Sequence, residues 1–264
     1  MSNDHNQTLT PDVLFVSAVE FELRPFAQHM EIEITSGNVT YARRGNRCIA
    51  LLVAGVGRRG DENFSAAIRD LRPLAVINVG IAGGLHRKYP AGSTWVVEEW
   101  RHQVHPHSPA GHADATLSTK VGNTLKETGI ACGKGIAVTV DEPLHDAEER
   151  DHIRIGSSAH LVEMEGAEWA TIAAEHRVPF AAVRVISDHA DRPLPAPRSK
   201  AARRAWLLRD DGTIHKRRFL LALIATTAWL RPWQHLRELK AAGGQFREAV
   251  DALEAIARAL LADR

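Results

Sequence analysis

Five acidic residues fall where strands read from the sequence come to an end. Glu20 and Glu22 stand at the end of the apolar run DVLFVSAV (12–19). Glu163 and Glu165 bracket Met164 ahead of a helical stretch, and Asp188 closely follows AAVRVI (181–186). Carboxyl groups at such places can hold or release a proton for general acid–base chemistry. Ligands of α/β sheets bind outside the carboxyl ends of strands, so acids at three strand ends can converge on one crevice. The bland alternative is that acids in a first helical turn complement the helix dipole. That suits Glu168 and Glu20. It suits Asp188 less, because a proline-rich loop rather than a helix follows it.

The elements that would position these acids are legible from periodicity. Residues 12–19 and 48–53 are apolar on both parities and rich in β-branched residues, as buried strands are. Further strands are expected at 75–79, 93–97, 135–140 and 181–186. Helices are expected at 20–30, through Phe64, Ala67, Ile68 and Leu71, and near 115–128, 166–177 and 245–262. Strands alternating with helices predict a three-layer α/β/α sandwich around a mixed, mostly parallel sheet. Two glycine segments, Gly55-Val-Gly57 and Gly80-Ile-Ala-Gly-Gly84, follow strands. Either could let a ligand approach the backbone, or could simply be a tight turn or tight packing. Neither is a full dinucleotide fingerprint or a P-loop, and a dehydrogenase of the Rossmann type would need the former.

The chain has 264 residues, 44% of them hydrophobic and 25% charged, which suits one globular domain able to bury its own core. A net charge of +1 gives no global pull toward nucleic acid. Residues 1–11 are polar and read as a lead-in rather than a secretory signal, and no apolar run reaches the ~20 residues of a membrane span. A cytoplasmic location follows as the expectation, with Cys48 and Cys132 as two separate thiols. The single domain is expected to run from 12 to 264. A helical insertion at about 192–244 is opened by the three prolines of RPLPAPRSK, and the last helix starts after the Gly243-Gly244 pair.

Read together and in order, the motifs carry more than any one of them. LVEME (161–165), VPFAAVRVISD (178–188) with Ala190 and Asp191, VSAVEFE (16–22), AGVG (54–57) and INVGIAGGL (77–85) resemble the purine nucleoside phosphorylase/nucleosidase superfamily. The likeness is greatest to the methylthioadenosine/S-adenosylhomocysteine nucleosidases. It spans roughly residues 12–191 and the last helix. The resemblance implies a nucleoside phosphorylase-like fold that cleaves the N-glycosidic bond of a purine nucleoside. It needs no cofactor and no metal, and it assembles as a homo-oligomer.

Residue by residue, Asp188 matches the acid that donates toward purine N7, with Ser187 orienting it. An aspartic acid must be neutral to donate, and burial would keep it so. Glu22 matches the general base for the attacking water. Glu165 matches the group that binds ribose hydroxyls and stabilises the developing cation. Glu163, Met164, Arg184, Ile81, Gly83 and Leu144 fall at substrate-binding positions. Met164 would wall the ribose, Arg184 would help place the water, and the backbone of Leu144 would hold the adenine edge.

The departures matter too. Pro143 stands where an aromatic often meets the purine, and Ile81 where a serine is common. Residues 98–116 do not follow the family pattern, and the small nucleosidases lack the insertion. Hydrolysis is the main expectation. Gly57 and Arg58, with Arg24 and Arg59, keep a phosphate-dependent phosphorylase open, including one acting on a bulky or lipid-linked adenosyl compound. A non-catalytic nucleoside-binding protein is the alternative from another class. Residues 216–233 (KRRFLLALIATTAWLRPW) form an apolar stretch with basic ends. It packs on the core or a subunit interface, or it makes a weak membrane contact. His102, His105, His107 and His112 cluster in one apparent loop, but their spacing fits no standard zinc pattern.

Overall fold

The computed structural model describes residues 10–191 and 232–262. Most of the 1–11 lead-in and of the 192–244 insertion, including 216–231 of the apolar basic stretch, lies outside the described residues. No helix among the described residues is long and apolar enough to cross a membrane.

Strand β1 (Val13–Ser17) lies between β4 (Arg47–Val53) and β5 (Val76–Gly84), parallel to both. On its other side β5 runs parallel to β10 (Phe180–Asp188), from Phe180 opposite Val76 to Asp188 opposite Gly83. From β10 the sheet continues antiparallel to β6 (Thr94–His102), then parallel to β8 (Cys132–Thr139) and β9 (Leu161–Glu163). The last of these pairs back onto the end of β5, Val162 opposite Gly83. Strands β5, β10, β6, β8 and β9 therefore close into a ring, while β1 and β4 extend from it as an open wing.

The alternation of side chains across the strands builds the three layers. Phe15, Ile49, Leu51, Ile77, Val79, Ala181, Val183 and Val185 face one way. They meet helices α1 (Glu20–Gln28), α3 (Ala115–Glu127) and α6 (Pro232–Leu260) through Leu23, Phe26, Val121, Leu125, Leu253 and Ile256. Leu14, Val16, Ala50, Leu52, Val76 and Ala182 face the other way, onto α2 (Gly57–Leu71) and α5 (Gly166–Glu175). There Phe64 and Trp169 stack with centroids 5.1 Å apart. Each such fully buried large side chain contributes on the order of 1.5–3 kcal/mol. Both cysteines are free.

Several boundaries differ from the sequence reading. The glycines at 80–84 are not a loop: β5 runs straight through them. Helix α6 begins at Pro232 and passes through Gly243-Gly244 instead of starting after them. Two glycines cost a helix about 2 kcal/mol together, and the buried stripe of Ala249, Leu253, Ile256 and Ala257 outweighs that. The histidine segment 105–112 is not a loop but strand β7 (His105–His112), a hairpin partner of β6. No group of three or more metal-type ligands occurs among the described residues. A charged hairpin, β2 (Glu31–Ser36) and β3 (Val39–Arg44), extends the edge of the sheet beyond β4. Helix α4 (Ala147–Ser157) fills the stretch after β8, capped by the Asp146 carboxylate accepting from Glu148 N at 2.8 Å.

Candidate active site

Strand β5 organises the site. Its Ile81 N–H donates to Glu22 Oε1 at 2.8 Å, which draws a carboxylate from the first turn of α1 against the strand. The carboxylate fits because Gly80 has no side chain: a Cβ there would stand 2.8 Å from Glu22 Oε1 and 3.2 Å from its carboxyl carbon. Glu22 is 5% exposed, and burial raises its pKa to about 7. The Ile81 N–H and the nearby Arg184 guanidinium pull the other way without cancelling the rise. Gly80→Ala is therefore expected to push the carboxylate off Ile81 and lower turnover about 10–100-fold, since a displacement near 1 Å can cost about 10²-fold. Steady-state kinetics beside a thermal melt checks this; the melt should move little, because the obstructing atom ends a side chain.

Around Glu22 lies a compact charged group. Arg184, buried on β10, donates from Nη2 to Glu163 Oε2 at 3.0 Å and to Asn78 Oδ1. Asn78 is itself fixed by donating to Val16 O at 2.9 Å. Glu163 spends both carboxylate oxygens inside the protein. Oε1 accepts from Thr139 Oγ1 at 2.5 Å, and Oε2 from Gly166 N at 2.7 Å, Glu165 N at 3.3 Å and Arg184. It works as a buried cap on α5 that also anchors Arg184, a role the substrate-binding expectation did not include. Glu165 is the N-cap residue of α5 and remains partly accessible. Its pKa is pushed well above the usual carboxylate range, first by desolvation, then by the charges of Glu163 and Glu22.

Asp188 closes β10, just past an irregularity in the register with β5 between Ile186 and Asp188. Such bulges re-aim side chains. Here Ser187 and Asp188 are both buried. Ser187 Oγ lies 2.5 Å from Asp188 Oδ1 and 3.2 Å from Ala82 O. An ionised Asp188 accepts the serine hydrogen. A protonated one donates to the serine oxygen, whose own hydrogen then turns to Ala82 O. Either state is hydrogen-bonded. The second oxygen, Oδ2, pairs with Arg150 Nη2 at 2.5 Å, both side chains at most 5% exposed. Burial of Asp188 is thus accompanied by a cation that the sequence reading did not foresee. The missed signal was Asp146 followed three residues later by Glu149, which resembles a capping box and announces helix α4.

The remaining expected positions divide. Ile81 contributes its backbone N–H, and Met164 packs at the margin of a small cluster with Leu144 and Val162. Leu144 is buried, and its carbonyl accepts from Arg150 Nε at 3.2 Å and Nη2 at 2.8 Å. Gly83 makes room for protein: a Cβ would meet Val162 at 2.9 Å and Arg150 Nη2 at 3.1 Å. Gly57 opens α2 with φ of 61°, and Arg58 beside it is 93% exposed and pairs with Glu62 at 3.1 Å along the helix surface. Arg24 and Arg59 are exposed as well. The pair proposed for an anion is therefore not drawn into the charged group.

The sequence profile of the Phosphorylase superfamily matches residues 12–209. The 5′-methylthioadenosine/S-adenosylhomocysteine nucleosidase of Haemophilus ducreyi is 30% identical over 176 residues, 61% of this chain and 76% of that protein. Among solved structures, a ligand complex of the nucleosidase of the same name from Helicobacter pylori superposes with a TM-score of 0.67 at 18% identity, covering 96% of this chain and 97% of that one. The futalosine hydrolase of Helicobacter pylori gives 0.62 at 21%, covering 69% and 86%. These two likenesses speak for the fold. With the profile spanning three quarters of its length, the chain belongs to the Phosphorylase superfamily.

Proposed function

We propose that the protein hydrolyses the N-glycosidic bond of an adenosyl-type purine nucleoside. The observation that carries this reading is Glu22, a buried carboxylate held by the Ile81 N–H with its pKa raised to about 7, the range a general base needs at neutral pH. Water gives its proton to Glu22 as its oxygen bonds to the anomeric carbon. The electrons of the breaking C–N bond pass to the purine, and Asp188, in its protonated state, gives its proton to N7 of the departing base and is left as the carboxylate that pairs with Arg150. Glu165 binds the ribose hydroxyls and steadies the positive charge that builds on the sugar. Gly80 and Gly83 mark the places on β5 where Glu22 and the Asp188 neighbourhood sit. Three residues of strand span about 10 Å, room for a sugar and the base attached to it.

The relatives support this substrate class, since the matched proteins are named as nucleosidases for methylthioadenosine and S-adenosylhomocysteine. Water as the acceptor fits the way the nearby cation is used: the Arg184 guanidinium is already engaged by Glu163 and Asn78 inside the protein.

A panel of purine nucleosides with varied 5′ groups, incubated with and without phosphate, tests the proposal. Free base and free sugar should form at the same rate in both. Strict dependence on phosphate would replace hydrolysis with phosphorolysis, and no base release from any member would end the reading.

A further inference from the structure

Arg150 lies outside every motif that suggested the activity, yet it is tied to four residues around the site. It projects from α4 and is 4% exposed. A guanidinium has five N–H groups, and the bonds account for all five. Nε and one Nη2 hydrogen go to Leu144 O at 3.2 and 2.8 Å, and the other Nη2 hydrogen goes to Asp188 Oδ2 at 2.5 Å. The two on Nη1 go to Gly84 O and His189 O, both at 3.3 Å. Three of these acceptors are backbone carbonyls at the end of β5, just past the end of β10, and in the segment between β8 and α4. The fourth is the acid that the proposed reaction uses.

We infer that Arg150 is a positioning residue for that reaction: it fixes the direction of the Asp188 carboxyl and ties it to the Leu144 segment, so that the acid and the base-facing backbone move as one piece. This rests on the nucleosidase reading. With Oδ2 held by the guanidinium, Oδ1 is left to Ser187, and rotation of the carboxyl would break two short bonds at once. Gly83 leaves open the volume the guanidinium needs, because a Cβ would come within 3.1 Å of Nη2. A lysine has the charge but only three hydrogens on one atom, and cannot span the four acceptors.

The test is a double-mutant cycle. Arg150→Lys and Arg150→Gln are each made in the wild-type and Asp188→Asn backgrounds, with kcat and KM for base release and a thermal melt for all. If Arg150 acts through Asp188, Arg150→Lys lowers kcat about 10–100-fold in the wild type and leaves KM within a few-fold. In the Asp188→Asn background the same change should alter kcat by less than about threefold, because contacting residues that act as a unit are not additive. Equal losses in both backgrounds, or no loss in the wild type, would overturn the proposal. So would failure of both single variants to fold, which makes Arg150 a purely structural residue. If instead Asp188→Asn itself keeps wild-type turnover, it is the nucleosidase reading that falls, and the two failures are told apart.

Discussion

Asp188→Asn should lower kcat for base release by about 10²–10⁴-fold, the usual contribution of a positioned acid. Asparagine has the shape of the acid and can still accept from Arg150, but it has no proton to give to N7. The substitution is not neutral for the fold. Arg150 would keep its charge in a site where both partners are at most 5% exposed. Once the acid is ionised the two form a buried ion pair, and removing one member of such a pair typically costs about 3–5 kcal/mol; the amide oxygen softens that, and against the protonated acid the cost is smaller. A lowered melting temperature is thus expected beside the lost activity, and kinetics must be read at a temperature where the variant is folded. Turnover near that of the wild type would refute the assignment of Asp188.

Glu22→Gln should separate activity from stability more sharply. The amide oxygen can still accept from Ile81, but the base is gone, and turnover should fall by about 10²–10⁴-fold. Stability should move the other way. In the folded protein Glu22 titrates at about 7, against 4.5 for the free side chain. Between those values the folded state holds more protons than the unfolded one, so the stability due to Glu22 is complete at low pH and is lost as pH rises through 7. That difference corresponds to about 3 kcal/mol. Glu22→Gln should recover part of it above pH 7 and none below about 4.5. Denaturant titrations at several pH values check this. In the wild type, kcat/KM should climb with pH as Glu22 ionises, up to about 7. A variant no more stable than the wild type at pH 8 would mean that Glu22 is solvated after all.

The parts of the fold that apolar runs announce were legible: β1, β4 and β10, and the buried faces of α2 and α5. The acids at strand ends were legible too, because their position after a run of Val, Ile and Ala is itself a signal. What failed to show follows from composition. The β7 segment HPHSPAGH contains two prolines and a glycine and few good strand formers, so only its pairing to β6 makes it a strand. Every residue of β2 is exposed, so the alternation of Ile32 and Ile34 with glutamates marks no core face; Gly37-Asn38 and Gly45-Asn46 were the clearer hints of the hairpins. Gly80 to Gly84 read as a loop because glycine is a poor strand former. The structure shows that absent side chains there admit Glu22 and Arg150, long-range contacts that local sequence does not encode. Arg150 was missed for the same reason, since its partners lie 6, 38, 39 and 66 residues away.

The ring of β5, β10, β6, β8 and β9 bears on how the proposed substrate is held. A strand hydrogen-bonded on both sides within a closed circuit cannot slip along its neighbours without breaking every rung, so the spacing between Glu22 and Asp188 is built into the register of β5 and β10. Helix α4 and the chain leading into it are pinned to that circuit through Arg150, and the sheet serves them as an unyielding gauge.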